Sequence, residues 1–190
     1  MKKNLIYALL CAMVSLSGCE KLKDATSRDF NVKNISFDFS ATVRDEVTPQ
    51  SGDLTVTTRA GEMRSFSETR TVDVSEIGSS DVVDFAKMIN KAEVNAASVS
   101  ITTVPSGSYT VTDLTISAPG VPGSLVVPAY VIGEAFTAPA NMGNYMSAFI
   151  MRIVNANSIT VTVSGQIDAP SGTTILISYK SDVVFTASLL

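Results

Sequence analysis

The chain of 190 residues has no histidine and no tryptophan, and only two cysteines. Without an imidazole there can be no Ser-His-Asp or Cys-His catalytic group, no HExxH zinc site and no histidine pH switch. No serine stands three residues before a lysine, so the SxxK signature of penicillin-binding enzymes is missing as well. The glycines are scattered and build neither standard phosphate loop. Charge is sparse, 17% of residues against 45% hydrophobic, and 18 Asp and Glu outnumber 14 Lys and Arg. A weakly acidic chain without clustered Lys and Arg does not suit nucleic acid, so no nucleic-acid partner is expected. No cofactor is expected either.

What the chain does have begins at its start. Lys2 and Lys3 precede an apolar run from Leu5 to Leu16, and the small residues Ser17 and Gly18 lead to Cys19. This is the layout of a secretory signal, and the run is shorter than the roughly 20 residues of a spanning helix. The tetrapeptide Leu16-Ser17-Gly18-Cys19 closely resembles the lipobox of bacterial lipoproteins. That resemblance implies cleavage before Cys19, a diacylglyceryl thioether on its sulfur and an acyl group, such as palmitate, on its amine. It implies a membrane partner through that lipid and a place in the bacterial cell envelope, at the outer membrane. Each buried methylene adds about 0.8 kcal/mol, so two or three chains suffice as an anchor.

Further consequences follow from the anchor. Cys11 would leave with the signal and Cys19 would carry lipid, so no thiol would remain for a disulfide, a nucleophile or a metal. Loss of Lys2 and Lys3 would take the net charge from -4 to -6. The charged residues Glu20, Lys21, Lys23 and Asp24 resemble the export tags of surface lipoproteins in Bacteroidota, although those tags are often runs of acid. The leaflet therefore stays open. The expected organisation is a signal peptide over residues 1–18, a lipidated tether over 19–29, and a single β-rich domain over 30–190.

Within that domain, Ile35, Phe37, Phe39, Ala41 and Val43 alternate with Ser36, Asp38, Ser40, Thr42 and Arg44, the pattern of a strand with one wet face. Further strands are expected at 54–58, 66–74, 94–104 (kinked near Asn95), 109–118 and 159–167. The strand over 109–118 should bulge near Asp113, where the apolar parity switches. Pro128 restricts the run from Leu125 to Ile132 to an edge, a bulge or a strand end. Gly165 marks a bulge or a close approach. The last β segment is expected in two parts, around Ile175 to Tyr179 and again from Val183 to Ala187.

Two stretches change to helical spacing. Val82, Phe85, Ala86 and Ile89 predict about three turns after Ser79 and Ser80, with Phe85 as a core anchor. Met142, Tyr145, Met146, Phe149, Ile150 and Ile153 predict a second helix over 141–154. The fold class expected is mainly β, an antiparallel sandwich or open barrel of about eight strands with two helices.

For function, the remaining catalytic option is a carboxylate pair, Asp73 with Glu76 or Asp81 with Asp84, and a capping role at helix starts competes with it. The leading expectation is a noncatalytic, lipid-anchored interaction or binding module. The alternatives are a carrier of an apolar ligand and a carboxylate-based hydrolase. Besides Cys19, the candidate contacts for an envelope protein partner or apolar ligand are Met142, Tyr145 and Met151. Met151 is expected on the far side of its helix, near Asn144 and Ser147, where a flexible thioether would suit an adaptable contact.

Overall fold

The computed structural model describes residues 27–45 and 62–188. In chain order these form β1 (Ser27–Thr42), β2 (Arg64–Asp73), a 3-10 turn (Val74–Ile77), α1 (Ser80–Phe85), a second 3-10 turn (Ala86–Met88) and β3 (Ile89–Val104). There follow β4 (Thr110–Ser117), β5 (Leu125–Val127), β6 (Tyr130–Val131), α2 (Met142–Ala156), β7 (Ser158–Ile167) and β8 (Thr174–Ser188). The lipobox with Cys19 and the strand expected over 54–58 lie outside the described residues.

The strands build two antiparallel sheets, as in a sandwich. One has the order β1-β8-β3; the other runs β2-β7-β4-β5, with β6 also paired to β4. The alternation of β1 and β8 explains the first sheet. Ile35, Phe37, Phe39 and Ala41 stand opposite Ser181, Tyr179, Ile177 and Ile175, and all eight are buried. The last β segment is one strand, contrary to the expected interruption. Ser181 takes a core position between Tyr179 and Val183, so the inward parity never breaks.

β1 also begins earlier than expected, at Ser27, inside the stretch read as tether. Its inward parity changes at a bulge between Val32 and Ile35, where Asn34 adopts φ 58°. Asn tolerates this left-handed region better than most side chains, and its backbone N–H donates to Asp182 Oδ1 at 3.0 Å. The bulge expected near Asp113 is present, with φ 54° there, and the kink expected near Asn95 coincides with a register shift between Val94 and Ala96. Pro128 follows the end of β5. Gly165 is a close approach: a Cβ there would lie 2.8 Å from Phe66 Cζ and 3.1 Å from Leu114 Cα.

The first helix is shorter than its spacing suggested. α1 has six residues and passes through a 3-10 turn into β3, where Ile89 already pairs with Ala187. Val82, Ala86 and Ile89 are buried, because a short helix leading into a strand can satisfy the same spacing. Phe85 is only half-buried, beside Arg28 and Phe30, so it is not the core anchor that was expected. The strand expected over 66–74 ends at Asp73 for a local reason. Asp73 accepts from the Ser75 N–H at 2.9 Å and Glu76 accepts from the Asp73 N–H at 3.0 Å, a reciprocal cap that turns the chain.

α2 packs against β3 and β7. Its Phe149 meets Phe37 edge-on at 5.5 Å and stacks with Tyr145 at 6.4 Å, while Phe37 stacks with Tyr179 at 6.2 Å. Where β1 and β2 approach each other, the Arg70 guanidinium lies over the Phe39 ring, donates to the Asp38 carbonyl and pairs with Glu76. Among the described residues, the apolar gap between the sheets, lined by Phe37, Leu114, Leu125, Met146 and Tyr179, is about 20 Å³. That is room for about one water molecule.

The core holds polar groups out of place: the hydroxyls of Thr103, Tyr145, Tyr179 and Ser181 are buried without a hydrogen-bond partner among the described residues. Burial pushes the Tyr179 phenol from 10.0 up to about 12, and the neighbouring Ser181 offsets only part of this. A phenol whose folded value is raised contributes stability that is complete below its unfolded value and is lost as pH rises from 10.0 towards about 12. Tyr179→Phe should therefore match or exceed the parent at neutral pH, since it removes a buried polar group that lacks a partner. Urea midpoints measured across the alkaline range should show the parent losing on the order of 2 kcal/mol more than the variant. Parallel curves would show that the phenol is solvated.

Candidate functional site

The residues proposed from the sequence as contacts belong mostly to the core. Met142 and Tyr145 are 3% and 5% exposed, on the inner face of α2. Met151 is half-buried and packs against the core rather than projecting away from it. The reason lies in β3. Its bulge at Asn95 brings the Val94 N–H to Ser147 Oγ at 3.2 Å, so the side of α2 that carries Ser147 is covered. Residues four apart share a helix face, which places Met151 near that contact. The helix opens to solvent at Gly143, Asn144, Arg152 and Asn155 instead.

The acidic pairs are also accounted for. Asp73 and Glu76 form the cap described above, and hydrogen bonding from Ser75 holds the Asp73 carboxyl below its ordinary value. Asp81 lies in the first turn of α1, and it and Asp84 are exposed. Among the described residues no group of three or more His, Cys, Asp or Glu could hold a metal ion.

The arrangement with chemical content is the outer face of the β1-β8-β3 sheet. Cross-strand pairing sets its side chains in rows: Ser36, Lys180 and Ser98; then Asp38, Ser178 and Ser100; then Ser40, Leu176 and Thr102; then Thr42, Thr174 and Val104. Neighbours directly opposite one another are about 5 Å apart at Cβ, so the hydroxyls form a dense grid. The face is dished at the middle rows, where Asp38, Ser40, Ser100, Thr102, Leu176 and Ser178 line a concavity of about 290 Å³. Leu176 is 37% exposed and forms an apolar patch within this polar surround.

Hydroxyls both donate and accept, so such a grid can match many polar surfaces without desolvating many charges. Asp38 contributes one acceptor-only group and Lys180 one donor-only group. None of this supplies an activated nucleophile, and the arrangement suits recognition. The outward parity of β1 was legible as Ser36, Asp38, Ser40 and Thr42 in the sequence. Which strands would lie side by side, and so that these hydroxyls would meet those of β3 and β8, was not.

The fold and this face together define the class of protein, an antiparallel β-sandwich with a long, hydroxyl-rich outer sheet. No protein-family model and no curated protein sequence matches the chain.

Proposed function

We propose that the protein is a noncatalytic, lipid-anchored interaction module of the bacterial cell envelope, held by lipid on Cys19 and recognising a partner through the outer face of the β1-β8-β3 sheet. The observation that carries this reading is the dished grid of Ser and Thr side chains around Leu176 and Asp38. Polar interfaces with a small apolar centre are typical of contacts between folded proteins that must also be stable alone. A carrier of an apolar ligand gains no support from a gap of about 20 Å³, because small-molecule pockets begin near about 300 Å³. A carboxylate hydrolase gains none from Asp73 and Glu76, whose oxygens are engaged in the turn.

The test is a photo-crosslinking side chain placed at Ser100 in the cell-borne protein, with the same group at Asn144 on α2 as the comparison. Covalent adducts of higher mass are expected from position 100 and not from 144. Adducts from neither position, or equally from both, would end the assignment to this face.

A further inference from the structure

The chain enters the described structure at Ser27, and that point has a definite place in the fold. Ser27 stands opposite Ser188, and Ile89 stands opposite Ala187, so one end of the three-stranded sheet holds the entry to β1, the exit of β8 and the start of β3. α1 and its following 3-10 turn lie at this same end. Phe85 and Asp81 of α1 border a small recess with Arg28, Phe30 and Ala187. Met88 directly precedes Ile89.

This end exposes apolar surface. Val83 and Met88 are each 47% exposed, beside the half-buried Phe85. The charged side chains on residues 27–30 and 80–93 are Arg28, Lys87 and Lys91 against Asp29, Asp81, Asp84 and Glu93, and Lys91 is already paired with Glu93 at 2.5 Å. Opposite charges nearly cancel, so the attraction this surface can offer is apolar.

The length of chain leading to this end names what would meet it. Seven residues, 20–26, separate Cys19 from Ser27, and fully extended they allow at most about 28 Å between the two. We propose that the end of the domain bearing Val83 and Met88 docks on the surface of the bilayer that holds the Cys19 lipid. This rests on the anchor reading above.

Two exposed apolar side chains would hold a free protein to a membrane only weakly. A short tether changes that, because it presents the surface to the bilayer at an effective concentration in the millimolar range. The docked orientation also places the recognition face. At about 3.3 Å per residue, Asp38 lies up to about 36 Å along β1 from Ser27, so the hydroxyl-rich concavity would stand clear of the headgroups. The near balance of charge makes docking indifferent to the sign of the lipid headgroup.

The test uses the mature lipidated protein, purified in detergent and reconstituted into vesicles of phosphatidylethanolamine and phosphatidylglycerol with brominated acyl chains. A fluorophore is attached at Met88→Cys, Val83→Cys or Val104→Cys, the last at the far end of β3 and 58% exposed in the parent. Bromine should quench the labels at positions 88 and 83 and leave that at 104 unchanged, equally in vesicles of phosphatidylethanolamine and phosphatidylcholine without anionic lipid. Protein that carries fatty acid and stays with the vesicles but shows no more quenching at 88 and 83 than at 104 overturns the docking while leaving the anchor intact. Protein without fatty acid that fails to associate with vesicles overturns both. Quenching only with anionic lipid would contradict the apolar contact.

Discussion

Cys19→Ala is expected to abolish incorporation of a clickable fatty acid and to release the domain from the membrane fraction into the soluble one. The effect should be close to complete, because two or three acyl chains at about 0.8 kcal/mol per methylene far exceed what the rest of the surface can contribute. Among the described residues no helix is long and apolar enough to cross a membrane, and Val83 and Met88 offer only a small apolar contact. The released domain should keep the parent's urea midpoint, since the described β structure begins eight residues later, at Ser27. Membrane retention, after a high-salt wash and detergent-free extraction, of variant protein whose mass shows that residues 1–18 have been removed would overturn the anchor.

Phe149→Ala should be among the most destabilising single truncations in the domain. Phe149 is 1% exposed and touches both Phe37 and Tyr145, so its ring joins α2 to the β1-β8-β3 sheet. Removing a buried Phe ring costs about 4 kcal/mol, through lost burial and the cavity left behind. Phe85→Ala serves as the comparison in the same chemical denaturation series. Its ring is only half-buried at the α1 end, and a loss of about 1 to 2 kcal/mol is expected there. Equal losses at the two positions would mean that α1 packs more deeply than its half-exposed ring implies.

The difference between these two phenylalanines shows how far periodicity can be read. Both lie on apolar stripes at helical spacing. For α2 the stripe continues through four turns, from Met142 to Val154, and only a helix buries all of it. For α1 the stripe has four members, and the last, Ile89, is equally served by the first residue of a strand. A short stripe leaves the choice to whatever packs beside it. Here β8 offers Ala187 as a strand partner, and pairing takes Ile89 out of the helix.

Sites were less legible than elements. The capping pair Asp73 and Glu76 could be read as a local turn because its partners are two and three residues apart. Met151 could not be placed from the stripe alone, since the group that covers its side of α2 comes from Val94, 53 residues distant from Ser147. The buried hydroxyl of Ser181 likewise contradicts its polarity: as a residue it reads as an interruption, and the unbroken pairing of β8 with β1 and β3 holds it inside.

The order of residues by itself determined which side chains face inward in β1 beyond its bulge and in β8, that the chain must deviate near Asp113 and Asn95, and which histidine-dependent chemistries lack their functional group. These depend on a period of two, on the parity of neighbours, and on which functional groups exist. Only the tertiary structure decided that β8 lies between β1 and β3, and therefore that Ser40, Leu176 and Thr102 form one row of a common face. Strands separated by 70 residues or more, as β3 and β8 are, choose neighbours through the fit of whole sheets. That fit sums many weak cross-strand contacts, none of which is written in any one stretch of the chain.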